Sequence, residues 1–202
     1  MIRRLPLPPQ WGRLYAAAIS EDKKQGQHEA AHRLLQECLL QYGAEEGVDI
    51  SPPPALDFGE MGKPVLRDYP QLHFNLSHCS GLAVCLLSDT ECGVDCESIR
   101  RCKSRIVERV CNAQEIAALE SASDADFLFT RLWTLKEAYV KAIGVGISYP
   151  LREVGFVFEG DKILTNRSDA SFMQFLLPNH IVSACTLQKL EPQSVITIED
   201  RD

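Results

Sequence analysis

The stretch "LAVCLLSDTECGVDCESI", Leu82–Ile99, decides how the chain is read. Its opening "LAVCLL" is an unbroken apolar run and reads as a buried strand. "DTE" suits a hairpin turn, and "CGVDCE" reads as a second, shorter strand. Side chains alternate across a strand, so Asp95 and Glu97, two residues apart, point the same way. Two carboxylates that close disfavour each other unless something positive lies between them. Taken by itself, the pair also fits two solvated residues at a strand end.

Upstream, "HEAAHRLLQECLLQY" (His28–Tyr42) has its apolar residues at helical spacing, with Gly43 as a stop. A Gly- and Pro-rich loop follows, and then "QLHFNLSH", whose alternation at Leu72, Phe74 and Leu76 predicts a strand. Downstream comes the basic run "IRRCKSRIVERV" (Ile99–Val110). "NAQE" (Asn112–Glu115) has the form of a capping box opening a helix. A longer helix is predicted from about Asp124 to Ile143, closed by Gly144. Strand-like runs fill the remainder: "EVGFVFE", "KILTN", "SFMQFLL", "IVSACTL" and "SVITI". Both halves thus order helix before strands, without a residue-level repeat.

The 202 residues suffice for one large domain or two small lobes, and their composition (45% hydrophobic, 24% charged) is ordinary for a globular chain. No apolar run approaches the roughly 18 residues of a membrane span. The start, "MIRRLPLPPQWGRLY", has no continuous apolar segment, so a cytoplasmic protein is expected, with no membrane partner. The eight cysteines form no Cys-x-x-Cys or Cys/His knuckle and are expected to be reduced thiols. A net charge of −7 disfavours nucleic acid as a partner. The local basic run Arg100, Arg101, Lys103, Arg105 and Arg109 fits either a solvated helix face or a surface for an acidic partner.

A second cluster lies in "WTLKEAYVKAIGVG" (Trp133–Gly146). Trp133, Glu137 and Lys141 recur every four residues along one helix face. Helix spacing alone gives a surface ion pair. If Asp95 and Glu97 face this helix, three carboxylates converge, and an all-oxygen set suits a hard cation such as Mg²⁺ that also takes phosphate oxygens from a substrate. His78 in "FNLSH" follows a strand directly and can donate a hydrogen bond to a phosphate. "GKP" (Gly62–Pro64) makes a rigid turn carrying one cation.

In this order and at these separations, "GKP", "FNLSH", "GVDCE" and "WTLKEAYVKAIGVG" resemble the 4′-phosphopantetheinyl transferases of the larger, surfactin-synthetase-activating type. The resemblance implies an α+β fold of two similar lobes in a pseudo-twofold arrangement. Each lobe would be a helix packed on a small, mainly antiparallel sheet, with an N-terminal lobe over 1–98 and a C-terminal lobe over 99–202. It implies Mg²⁺-dependent transfer of the phosphopantetheine arm of coenzyme A to a serine of an acyl or peptidyl carrier protein, releasing 3′,5′-ADP. Asp95, Glu97 and Glu137 match the metal ligands. Lys141 and His78, with Ser77 beside it, match the pyrophosphate contacts, and Lys63 and Pro64 the segment near the nucleotide. Arg33 matches an arginine at the nucleotide's phosphates, with Lys23 and Lys24 as further candidates. Catalysis would fall to Glu137, Lys141 and Asp95, with Glu137 either a metal ligand or the base for the serine. The basic run then becomes a docking surface for an acidic carrier, with Ile106, Val107 or Val110 adding an apolar contact. Two lobes in one chain imply a monomer. The competing readings are a non-catalytic module that binds carrier proteins, and another Mg²⁺-dependent phosphotransferase. No Walker-type loop supports the latter.

Overall fold

The computed structural model describes residues 2–20, 23–50, 54–191 and 193–199. In chain order the elements are β1 (Ile2–Leu5), β2 (Arg13–Ala18), α1 (Lys24–Glu46), β3 (Leu56–Phe58), β4 (Pro64–Leu66), β5 (His73–Cys79), β6 (Leu82–Ser88), β7 (Cys92–Ser98), α2 (Ser104–Val110), α3 (Ala113–Ser121), α4 (Ala125–Ile143), β8 (Phe156–Glu159), β9 (Lys162–Thr165), β10 (Ser171–Leu176), β11 (His180–Thr186) and β12 (Val195–Thr197). Asn112 caps α3 through the expected box with Glu115, and Gly144, at φ 72°, closes α4 in the left-handed conformation that suits glycine.

Two four-stranded sheets form, in the orders β1-β2-β6-β5 and β12-β10-β11-β7. All pairings in them are antiparallel except β10 with β12. The apolar residues explain the layering. Leu34, Leu35, Cys38 and Leu39 of α1 bury against Phe74 and Cys85 of the first sheet. Leu132, Leu135 and Tyr139 of α4 bury against Phe172 and Cys185 of the second. Leu14, Val84, Val94, Phe175 and Val182 fill the space between the sheets. The result is an α+β protein layered helix, sheet, sheet, helix.

The two halves share a topology. In β2–α1–β5–β6 and again in β7–α4–β10–β11, the first strand pairs with the last, and the last with the third. Each half therefore opens with a strand ahead of its helix, where the sequence reading placed the helix first. β2 ("RLYAAA") has too little alternation to announce itself. The hairpin read between β6 and β7 does not form: β7 pairs with β11, Asp95 opposite Ser183. The reason is that β6 is a central strand whose edges are already taken by β2 and β5. By strand pairing the change of sheet falls at 89–91, ahead of the expected junction after Ser98.

α1 also runs past its expected stop. Gly43 is buried within it, and Gly47, at φ 69°, is the cap. All eight cysteines are free thiols, and all but Cys102 are buried. Among the described residues, no helix is long and apolar enough to cross a membrane.

Candidate active site

β7 is the edge of its sheet, and its unpaired backbone groups need partners. They find them in side chains. Asn75 Oδ1 accepts from Val94 N (2.9 Å), and Ser77 Oγ accepts from Cys96 N (3.3 Å). The Lys141 ammonium donates to the Val94 carbonyl (3.1 Å). β5 and α4 thus close the free edge of β7 and join the two sheets.

The alternation along β7 sends Val94 and Cys96 into the core between the sheets and turns Gly93 toward α4. Asp95 follows Gly93 to that side and meets Lys141, Nζ to Oδ1 at 2.7 Å. Lys141 also donates to Ser77 Oγ (2.9 Å), and Ser77 donates to the same Asp95 oxygen (2.9 Å). Burial works against the charge on Lys141, but Asp95 outweighs it and holds the ammonium above its ordinary pKa. The other carboxylate oxygen, Asp95 Oδ2, is buried without a partner. A buried, orphaned carboxylate oxygen is costly unless a further group meets it.

Glu97 and Glu137 complete the acidic group. Burial pushes the Glu97 carboxyl up to about 7, and the charge of Asp95 adds to the effect. Glu137 is raised by the same two causes in the same order. Glu97 is turned toward Arg100, Oε1 to Nη1 at 3.0 Å, and the Arg100 guanidinium lies over the Trp133 ring at 4.7 Å. The donor set is all carboxylate, which fits a hard dication. The orphaned Oδ2 and the two acids pushed up by burial and by the charge of Asp95 are the features such an ion relieves. Among the described residues, no three His, Cys, Asp or Glu side chains form a group that could already hold a metal ion.

Glu137 lines two cavities. One, of about 550 Å³, is walled by Ile106, Val110, Trp133, Val140 and Tyr149. The other, of about 250 Å³, lies between Gly62, Pro64, Asn75 and Lys141. His78, on β5 beside Ser77, is half-buried, and its Nδ1 has no partner. Burial, then the nearby His28 and Lys141, lower its pKa.

Lys63 lines the smaller cavity with Glu137 and Lys141, whereas Arg33 stands elsewhere. The Lys63 ammonium is saturated by Glu91 (2.5 Å), the Cys92 carbonyl (3.0 Å) and the Ala142 carbonyl (2.8 Å), so it clamps the end of α4 to the start of β7. Arg33 lines a separate cavity with Ile2, Ala17 and Glu37. In the basic run, Arg101, Lys103, Arg105, Arg109 and Ile106 are exposed, whereas Val107 and Val110 are buried in the core.

Lys136 carries a role the sequence reading missed. It is fully buried, bonded to Glu115 (2.8 Å) and to the Leu151 and Val154 carbonyls, and Glu115 accepts from Asn112 N and Phe156 N. The pair pins α3, α4 and the turn before β8 together behind Glu137. Asn75 was missed too. It falls on the opposite face of β5 from Phe74 and Leu76, and only the arrival of β7 gives it a partner.

A family model of the 4′-phosphopantetheinyl transferase superfamily matches residues 91–197, more than half of the 202. The chain is 42% identical over 92 residues to the 4′-phosphopantetheinyl transferase psf-1 of Bacillus pumilus, covering 45% of this chain and 40% of that one. It is 31% identical over 146 residues to a 4′-phosphopantetheinyl transferase of Bacillus subtilis, covering 67% and 64%. Against the enzyme gsp of Aneurinibacillus migulanus it is 37% identical over 94 residues, covering 46% and 39%. Each match spans less than two thirds of the relative's own length. Among solved structures, the holo-[acyl-carrier-protein] synthase of Thermotoga maritima is similar over 50% of this chain and 64% of that one, at TM-score 0.43 and 20% identity. The family match spans β7 and α4, the elements that carry Asp95, Glu97, Glu137 and Lys141, and by it the chain belongs to the 4′-phosphopantetheinyl transferase superfamily.

Proposed function

We propose that this protein is a Mg²⁺-dependent 4′-phosphopantetheinyl transferase that moves the phosphopantetheine arm of coenzyme A onto a serine of an acidic acyl or peptidyl carrier protein and releases 3′,5′-ADP. The observation that carries this reading is the meeting of Asp95, Ser77 and Lys141 within 2.7–2.9 Å of one another, where both sheets and α4 join. Glu137 lines the two cavities beside that point.

The serine oxygen forms a bond to the pyrophosphate phosphorus that bears the pantetheine arm. The bond from that phosphorus to the bridging oxygen breaks, and the electron pair leaves on 3′,5′-ADP. Asp95 and Glu97 would hold the Mg²⁺, which when bound supplies neutralisation of pyrophosphate charge, and Glu137 is then left free of the metal. Lys141, kept charged by Asp95, neutralises the oxygens of the leaving phosphate as charge develops on them. Ser77 fixes the Asp95 carboxylate, and the His78 imidazole donates to a pyrophosphate oxygen. The raised carboxyl of Glu137 makes it a base nearer in strength to working pH than an ordinary glutamate, so it takes the serine proton. The larger, apolar-walled cavity beside Glu137 receives the pantetheine arm.

Exposed Arg101, Lys103, Arg105 and Arg109 fit an acidic carrier, Arg109 lining that cavity and Arg101 and Lys103 a neighbouring one that shares Ile106 and Trp133. Both sides of the site come from one chain, so it works as a monomer, and the free thiols suit the cytoplasm. The test is to incubate the protein with coenzyme A, Mg²⁺ and apo carrier proteins and to weigh the carriers. A phosphopantetheine mass gain that vanishes with EDTA and with Asp95→Ala is expected. No gain on any carrier of the host overturns the reading.

A further inference from the structure

Arg100 joins the acidic site to the basic surface. Its backbone is pinned to α4: Arg100 N donates to Thr130 Oγ1 (2.8 Å), and Cys102 N donates to Asp126 Oδ1 (2.6 Å). Its side chain reaches back to β7, where Nη1 stands 3.0 Å from Glu97 Oε1. Among the described residues, Glu97 is the one carboxylate within ion-pair distance of it. The same guanidinium lies over the Trp133 ring. Arg100 also lines a pocket of about 250 Å³ with Arg101, Lys103, Ile106, Phe129 and Trp133. One side chain therefore touches both a carboxylate of the site and a pocket of the surface.

Of the cations near the carboxylates, Arg100 is the one that can leave. Lys141 is held by Asp95, Ser77 and the Val94 carbonyl together. Lys136 and Glu115 are fully buried, and parting them strands a charge. The Arg100 side chain is 42% exposed and that of Glu97 22%. Water screens such a pair, so exchanging its partners costs little. A guanidinium at the Glu97 carboxylate also repels a dication placed there, so the two compete for Glu97. The pocket offers Arg100 another anion to meet. It presents three cations and no acid, beside the apolar Phe129 and Trp133, which suits a carboxylate carried on a protein surface. It shares Ile106 and Trp133 with the larger cavity that reaches Glu137, so a carrier presenting its serine there also covers the pocket.

Resting on the function proposed above, we propose that Arg100 is an exchangeable counter-ion of Glu97. An acidic side chain of the carrier protein, entering the pocket beside Trp133, draws the guanidinium away and frees Glu97 for the metal, so that carrier and Mg²⁺ bind cooperatively. Arg100 is thus a positioning residue with two partners, and each ligand favours the same one of its two placements. The Trp133 ring lies under the guanidinium and also lines the pocket, so the cation keeps its ring contact as it turns. The site gains its metal when an acceptor is present to use it.

The experiment measures Kd for Mg²⁺ by calorimetry on the full chain saturated with coenzyme A. It is run with and without an apo carrier protein of the host whose acceptor serine is changed to alanine, so that no transfer occurs. In the wild type a saturating carrier should lower Kd for Mg²⁺ about tenfold, and Mg²⁺ should lower Kd for the carrier by the same factor. Arg100→Gln should bind Mg²⁺ without the carrier about as tightly as the wild type does with it, and the carrier should then shift that Kd by less than about twofold. Arg101→Gln should weaken carrier binding but keep the full effect of a saturating carrier on Mg²⁺. If the wild type shows no coupling, if Arg100→Gln retains it, or if Arg101→Gln loses it equally, Arg100 is not the exchangeable ion and the proposed function stands. If the wild type binds neither coenzyme A nor any carrier, both fall.

Discussion

Gly93 of β7 lies against the Ala138 carbonyl of α4 so closely that a Cβ on residue 93 would stand 2.0 Å from that oxygen and 2.4 Å from the Ala142 nitrogen. Both obstacles are helix backbone and cannot rotate away. The glycine therefore sets how near α4 comes to β7, and with it the reach of Lys141 to Asp95 two residues on.

Gly93→Ala should push the helix off the strand. Overpacking of this kind costs about 1–3 kcal/mol or more. Because the contact displaced is the one between the two walls of the site, coenzyme A affinity should fall by more than thermal stability alone would suggest. Calorimetric Kd and urea denaturation on the same preparation check this. A stable variant with unaltered affinity would show that the spacing is not set here.

Lys136 and Glu115 should behave as one unit. Lys136→Met leaves the Glu115 carboxylate buried beside the Asn112 and Phe156 amides without its cation, which costs about 3–5 kcal/mol. Adding Glu115→Gln removes the stranded charge and keeps an amide oxygen as acceptor, so the double variant should be more stable than Lys136→Met. Urea denaturation of the four proteins gives the coupling, and additive losses would mean the two side chains act independently.

The metal-free protein should become less stable as pH rises. The Glu97 carboxyl sits at about 7 in the folded chain against an ordinary 4.5. The fold thus favours its protonated form. That contribution is fully present below 4.5 and is lost as pH rises through about 7. Glu97→Gln should flatten the decline, gaining roughly 1–3 kcal/mol over wild type at pH 8 in EDTA and little at pH 4.5. Glu137, raised by the same causes, leaves part of the slope in place. Denaturation midpoints across this range decide it, and parallel slopes in both proteins would place the strain elsewhere.

The sequence carried the face but not the neighbours. Period-two spacing put Asp95 and Glu97 on one side of a strand, and period-four spacing put Glu137 and Lys141 on one side of a helix. Those two local facts survive in the fold. Local spacing does not encode which strand pairs with which, so the run from β6 to β7 reads as a hairpin, while β6 has both edges occupied. Lys63 read only as the cation of a rigid turn because its acceptors, on Glu91, Cys92 and Ala142, come from distant parts of the chain.

The carrier-docking reading of α2 separates two kinds of charge. Arg100 is engaged with Glu97 and Trp133, so it belongs to the site. Arg101 and Arg105 are exposed, and the exposed Ile106 lines the larger cavity. A pair of exposed charges acts mainly on encounter and is screened within about 10 Å at 0.1 M salt. Arg101→Glu/Arg105→Glu should therefore raise KM for the carrier protein about tenfold at low ionic strength and leave KM for coenzyme A within about twofold. The gap between wild type and variant should close as salt is raised to about 0.5 M. Ile106→Ala should raise the carrier KM at every salt concentration, because its contact is apolar. Steady-state kinetics with each substrate varied in turn distinguishes the cases. Equal effects of the charge reversal on both KM values would place the carrier elsewhere, since a surface that meets only the carrier has no means of altering how coenzyme A binds.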